Sequence, residues 1–103
     1  MTQVEEHSID ATTGLLDRQM IKAKIEQFLL GDFGTGQHAM LIMDIDNFKS
    51  LNETMGRVFA DTIIQAIAEG ILTCIRKEDF AGRVGGDEFL IFLEYKEEAE
   101  TAI

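Results

Sequence analysis

Three features of the sequence predict an α+β fold, a central antiparallel sheet with flanking helices. An unbroken apolar run, Ala-Met-Leu-Ile-Met at 39–43, has the pattern of a strand buried on both faces. Ile63, Ile64, Ile67, Ala68, Ile71, Leu72 and Ile75 recur at i, i+1, i+4, i+5 and i+8, the stripe of a helix packed on a core. Gly85-Gly86 separates two strand-like runs, which reads as a tight hairpin turn whose glycines take positive φ.

The remaining elements follow in chain order. Residues 1–12 read as a polar lead-in or linker, and 13–103 as the domain. Asp17 is placed to cap a helix running to about Leu30, with Met20, Ile21, Ile25, Phe28 and Leu29 on one side and Gly31 as its stop. Residues 34–37 read as a loop, 39–45 as a strand, 47–54 as a short helix and 59–76 as a longer one. Strands at 80–84 and 88–94 flank the glycine turn, and 96–103 opens another helix. The predicted order is α-β-α-α-β-β-α.

Composition narrows the function. The 103 residues, 46% apolar, suit one small domain with one core. Nine basic and nineteen acidic residues leave a net charge of −10, which argues against nucleic acid and against an anionic membrane surface. No apolar stretch is long enough for a transmembrane helix, and the N-terminus lacks the pattern of a signal region. The single cysteine, Cys74, excludes an internal disulfide and fits a reducing cytoplasm; its helical apolar context predicts a buried filler. His7 and His38 have no metal-type spacing with other ligands.

Two acidic segments carry the chemistry. The first strand ends in Asp44-Ile45-Asp46, and alternation places both carboxylates on one face, with Asp44 against the core. Acids closing a core strand are costly unless compensated, and a divalent cation compensates both. The plainer alternative is a strand that simply reaches water there. The hairpin turn carries Asp87 and Glu88 beside a bare glycine backbone, an arrangement suited to a hard metal ion and a close-approaching phosphate. Acidic Gly-Gly hairpins are also common without any ligand.

Together these segments resemble the GGDEF family, the diguanylate cyclases. Gly85-Gly86-Asp87-Glu88-Phe89 is that family's pentapeptide. The segment from Leu41 to Asp61 matches the family block LLxxDIDxFKxxNDxxGHxxGD at Asp44, Ile45, Asp46, Phe48, Lys49, Asn52, Gly56 and Asp61. The stretch from Asp10 to Arg18 is similar to the entry motif DxLTGLxNR, and Arg76-Lys77-Glu78-Asp79 matches the family's RxxD inhibitory site.

The resemblance implies a ferredoxin-like, nucleotide-cyclase-like palm, here C-terminally truncated. It implies Mg²⁺ or Mn²⁺ held by Asp44, Asp87 and the Ile45 carbonyl, with Asp87 and Glu88 catalytic. Asn52 and Asp61 would bind guanine, and Phe48, Lys49, Gly85 and Gly86 would lie along the rest of GTP. Arg76 and Asp79 would bind cyclic di-GMP as inhibiting product. A homodimer, an N-terminal sensor domain in a longer parent and a cytoplasmic location are implied too. Departures are Arg57 for histidine and Ala60 for glycine in GHxxGD, and Thr12 and Leu16 in the entry motif. The SIGVA-like strand and cationic last helix of the family do not appear before Ile103. Without that strand the 39–45 strand becomes an exposed edge, so these residues alone are expected to dimerise or rearrange their sheet. The alternative reading is a non-catalytic GGDEF module that senses GTP or cyclic di-GMP.

Overall fold

The computed structural model describes residues 8–31 and 37–95. Its elements are α1 (Arg18–Leu30), β1 (Gln37–Asp44), α2 (Phe48–Met55), α3 (Arg57–Cys74), β2 (Phe80–Arg83) and β3 (Glu88–Tyr95). The predicted order therefore holds through the second hairpin strand. The helix expected at 96–103 lies outside the described residues, as do 1–7 of the lead-in and 34–36 of the loop; Gln37 already belongs to β1.

The three strands form one antiparallel sheet in the order β1-β3-β2. β3 is central and is covered on both faces. Its Phe89 and Ile91 pack with Ile64, Ala68 and Ile71 of α3, together with Leu15 and Ala81. On the other face Phe92 packs with Phe80 and with Ile21 of α1. Phe89 and Ile64 have no exposed surface, and each such side chain stabilises the fold by about 1.5–3 kcal/mol.

α1 begins where sequence chemistry places it. The Asp17 carboxylate accepts from the Met20 N–H at 2.8 Å, and Gly31 closes the helix through its N–H to the Gln27 carbonyl. Gly82 lets this helix approach the sheet. A Cβ there would sit 2.7 Å from Ile21 Cδ1 and 2.8 Å from its Cβ. The glycine in β2 thus answers to close packing of another element.

Four expectations about burial are corrected. β1 is not buried on both faces: Met40, Leu41, Ile42 and Met43 are 53, 47, 69 and 40% exposed. Among the described residues it is an edge strand; α3 covers only part of one face, and α1 sits over β2. Asp44 is exposed too, rather than set against the core. Cys74 is exposed, not a buried filler, because α3 ends there. Leu29 and Leu72 are exposed as well, each at the rim of its helix's apolar stripe.

Gly82→Ala should destabilise the protein by about 1–3 kcal/mol in urea unfolding, since Ile21 must leave its position. Gly70→Ala, with nothing within 4 Å of the added methyl, should instead be neutral or stabilising by up to about 1 kcal/mol.

Candidate active site at the strand end and hairpin turn

The site is built by the β1–β3 ladder. Its register runs from Gln37↔Tyr95 to Asp44↔Glu88. One more bond, from the Ile45 N–H to the Asp87 carbonyl at 3.2 Å, carries the ladder past the strand end. Asp44 therefore faces Glu88 across the sheet, with Asp87 one step on. Ile45 and Phe48, both partly buried, pack against the main core and fix this end of the chain.

Carboxylates opposed across a sheet repel. The Asp44 carboxyl is held above its ordinary range. Lost hydration at the strand end contributes first, then the charge of Asp87 and a hydrogen bond shared with it; Asp46 adds a smaller repulsion and the Ile45 N–H opposes the rise. β1 ends at Asp44, so strict alternation does not reach Asp46, which lies in the following turn. No three acids, histidines or cysteines converge as a ligand set among the described residues. Two carboxylates with a neighbouring backbone carbonyl still fit Mg²⁺, which takes one or two protein carboxylates and completes its shell with water and substrate phosphates.

The turn is Gly85–Gly86–Asp87–Glu88. The Glu88 N–H reaches the Gly85 carbonyl at 3.5 Å, and the Val84 N–H donates to the Glu88 carbonyl at 2.9 Å. Contrary to the sequence expectation, neither glycine has positive φ; Gly14 and Gly56 do. Space, rather than left-handed backbone, is what constrains Gly85. A Cβ on Gly85 would lie 3.0 Å from Glu88 Oε1, whereas at Gly86 the space is open. One glycine admits the Glu88 carboxylate, and the other leaves the backbone approachable.

A clamp behind the turn was not found from sequence. Arg83 donates through Nη2 and Nε to the Gly86 carbonyl at 2.7 and 3.2 Å, and through Nη1 to Asp10 Oδ2 at 3.3 Å. Asp10 also accepts from the Thr13 N–H and hydroxyl at 3.0 and 2.8 Å. The loop carrying it is tied to β2 by Leu16, whose N–H donates to the Ala81 carbonyl and whose carbonyl accepts from the Arg83 N–H. Partial burial pushes the Asp10 carboxyl up, but Thr13 and Arg83 outweigh it and hold it below its ordinary 3.8. The only sequence signal was the position of Arg83 two residues before Gly85.

The other expected site residues fall into two groups. Asn52 lies in the last turn of α2 and Asp61 in the first turns of α3, on either side of Gly56, whose φ of +94° makes the corner. Both are partly exposed. Ala60 is 1% exposed, so its methyl is buried. Asn47 enters α2 with φ 59° and its side chain makes no cap bond. The first amides of α2, including those of Phe48 and Lys49, have no acceptor within the helix. Arg76 and Asp79 lie at the far end of β3. Asp79 is 8% exposed and fully occupied: Oδ1 accepts from the Glu94 N–H and Oδ2 from the Arg76 N–H, each at 2.8 Å. Arg76 also pairs with Glu78 and donates to the Glu94 carbonyl. Six residue steps along β3 separate Glu88 from Glu94, roughly 20 Å.

The chain belongs to the GGDEF family: the family model "Diguanylate cyclase, GGDEF domain" matches residues 7–103. The probable diguanylate cyclase DgcJ of Escherichia coli is 40% identical over 89 residues, 85% of this chain and 18% of that protein. The bifunctional diguanylate cyclase/cyclic di-GMP phosphodiesterase MucR of Pseudomonas aeruginosa is 33% identical over 94 residues, 90% of this chain and 14% of that protein. The GGDEF domain of DgcB from Caulobacter crescentus, solved with c-di-GMP, superposes with a TM-score of 0.78 at 26% identity, over 92% of this chain and 56% of that one. The chain thus spans under a fifth of these curated relatives and just over half of that solved domain. Among the described residues no helix is long and apolar enough to cross a membrane.

Two outcomes follow. Gly85→Ala crowds only Glu88 Oε1, the end of a flexible side chain, so urea stability should change by less than about 1 kcal/mol. Asp10→Asn tests the clamp. A depressed folded pKa stabilises fully above 3.8 and loses its effect as pH falls through the folded value. The stability gap between wild type and Asp10→Asn should therefore be constant near neutrality and narrow as pH drops below that range.

Proposed function

We propose that this chain is the catalytic core of a diguanylate cyclase, condensing two GTP into cyclic di-GMP with release of two pyrophosphates. The meeting of Asp44 and Asp87 beside an open glycine turn carries this reading. Asp44, its carboxyl held up by lost hydration and then by the charge of Asp87, is a group that gains from a divalent cation. Asp44, Asp87 and the Ile45 carbonyl would hold Mg²⁺, or Mn²⁺ in its place. When bound, the ion supplies charge neutralisation at the phosphates and Lewis acidity toward the attacking hydroxyl.

The chain's own residues do the positioning. Asn52 and Asp61 hydrogen-bond the guanine edge. The α2 amides meet phosphate oxygens, as a helix N-terminus can, with Lys49 adding charge and Phe48 anchoring the turn. Gly85 and Gly86 let the nucleotide lie against backbone. Glu88, placed by the space at Gly85, assists the 3′-hydroxyl of one GTP as it attacks the α-phosphorus of the other. Pyrophosphate leaves in line. Each subunit presents one GTP, so the reaction needs a homodimer, set face to face by whatever sensor region a longer parent supplies. A GTP-consuming protein with a free thiol belongs in the cytoplasm.

Arg76 is the proposed contact for product. Its guanidinium is half exposed, whereas Asp79 serves as its post. A second reading, a non-catalytic module binding GTP or cyclic di-GMP, is favoured by one relative: the cyclic di-GMP phosphodiesterase PdeR of Escherichia coli, 30% identical over 82 residues.

Incubation with GTP and Mg²⁺ at high protein concentration should give cyclic di-GMP by mass spectrometry, and Asp87→Ala should lower its formation at least roughly a hundredfold. Binding of GTP without product would favour the module reading. Arg76→Ala should leave turnover intact and weaken cyclic di-GMP binding.

A further inference from the structure

Arg57 is a charged side chain that the fold does not use. It opens α3 and is exposed. Among the described residues its guanidinium pairs with no carboxylate and donates to no carbonyl. A cation in the first turn of a helix also opposes the helix dipole, and no acid in the first turn of α3 offsets it. Nothing in the packing thus calls for an arginine here.

Its place is nonetheless well defined. The buried residues of α3, Ala60, Ile64, Ala68 and Ile71, follow it at i+3, i+7, i+11 and i+14. Arg57 therefore heads the core-facing stripe, at the point where that stripe runs out beyond the core. Asp61, at i+4, stands beside it on the same flank. Asn52 lies across the Gly56 corner, where its backbone carbonyl accepts the Gly56 N–H at 2.9 Å. A base preceding an acid is the weaker order for a helical ion pair, and Arg57 and Asp61 are not paired. One corner thus offers an acceptor from Asp61, a donor fork from Arg57 and an amide of both kinds from Asn52. Among the described residues none of the three side chains is committed to another group.

Guanine carries the complementary functions along one rim. Its N2–H and N1–H donate, and next to them O6 and N7 accept. A carboxylate meets the donors, and the planar guanidinium fork fits O6 and N7 with two parallel bonds. Adenine turns an amino donor toward the same fork, so it is rejected there. We propose that Arg57 is a specificity-determining residue that reads O6 and N7 of the guanine, side by side with Asp61 on N1–H and N2–H. This rests on the reading of Asn52 and Asp61 as guanine contacts and adds the opposite half of the base to it. The histidine that stands here in the family pattern cannot span both acceptors.

The test removes one acceptor from the base and the fork from the protein. Dissociation constants are measured by displacement of a fluorescent α,β-methylene GTP, which cannot release pyrophosphate, with Mg²⁺ present and readings taken before turnover. Wild type should bind 7-deaza-GTP, which lacks the N7 acceptor, roughly tenfold more weakly than GTP. Arg57→Ala should lose roughly tenfold toward GTP and bind the two nucleotides alike, with an unchanged urea midpoint because Arg57 is exposed. Equal binding of the two nucleotides by wild type would overturn this assignment alone. So would an Arg57→Ala variant that weakens both by one factor, since that places the charge on the phosphates. A wild type that does not bind the probe at all would overturn the guanine reading of the corner, and this assignment with it.

Discussion

The site depends on one constraint: the β1–β3 ladder is long, unbroken and ends on acids. Its register leaves no freedom at the last pair, so Asp44 must face Glu88 and Asp87 must stand next to it. Sheet pairing of apolar residues from 39 to 43 forces together carboxylates that would otherwise separate. Repulsion at that end is thus opposed by the ladder hydrogen bonds and by the packing of Ile45 and Phe48 on the core. A cation or a proton is what the arrangement lacks, and Asp44 responds by holding its proton more tightly.

Around this pair the fold removes alternatives. Ile45 and Phe48 anchor the chain leaving β1 to the core, so the strand end cannot relax away. Arg83 grips the Gly86 carbonyl from behind and is itself held by Asp10. The turn is therefore positioned by groups from β2 and from the loop that carries Asp10. Glycine at 85 serves the same end, since a side chain there would press on Glu88.

Local signals were legible and long-range ones were not. The cap at Asp17, the stop at Gly31 and the stripe of α3 each act within a few residues, and sequence alone placed them. The acids of the site were legible because they close two strand patterns. The Arg83–Asp10 pair spans 73 positions, so nothing local announces it. Burial of β1 was misjudged for a related reason. An apolar run reports what a strand would bury, not which elements come to cover it. The glycine turn was located correctly, but neither glycine takes left-handed backbone, and only Gly85 borders Glu88. Asp79 was expected to bind ligand with Arg76; in the fold its Oδ1 holds the far end of β3 and its Oδ2 the Arg76 N–H.

The most direct test of this account is the thermal stability of Asp44→Asn with and without Mg²⁺ and a non-hydrolysable GTP analogue. Removing one of the opposed charges should leave the free protein at least as stable as wild type, and it should abolish the stabilisation that Mg²⁺ and nucleotide together give the wild type. A variant that melts well below the wild type, or that keeps the full ligand-induced shift, would contradict the claim that this carboxylate pair is strained and built for a cation.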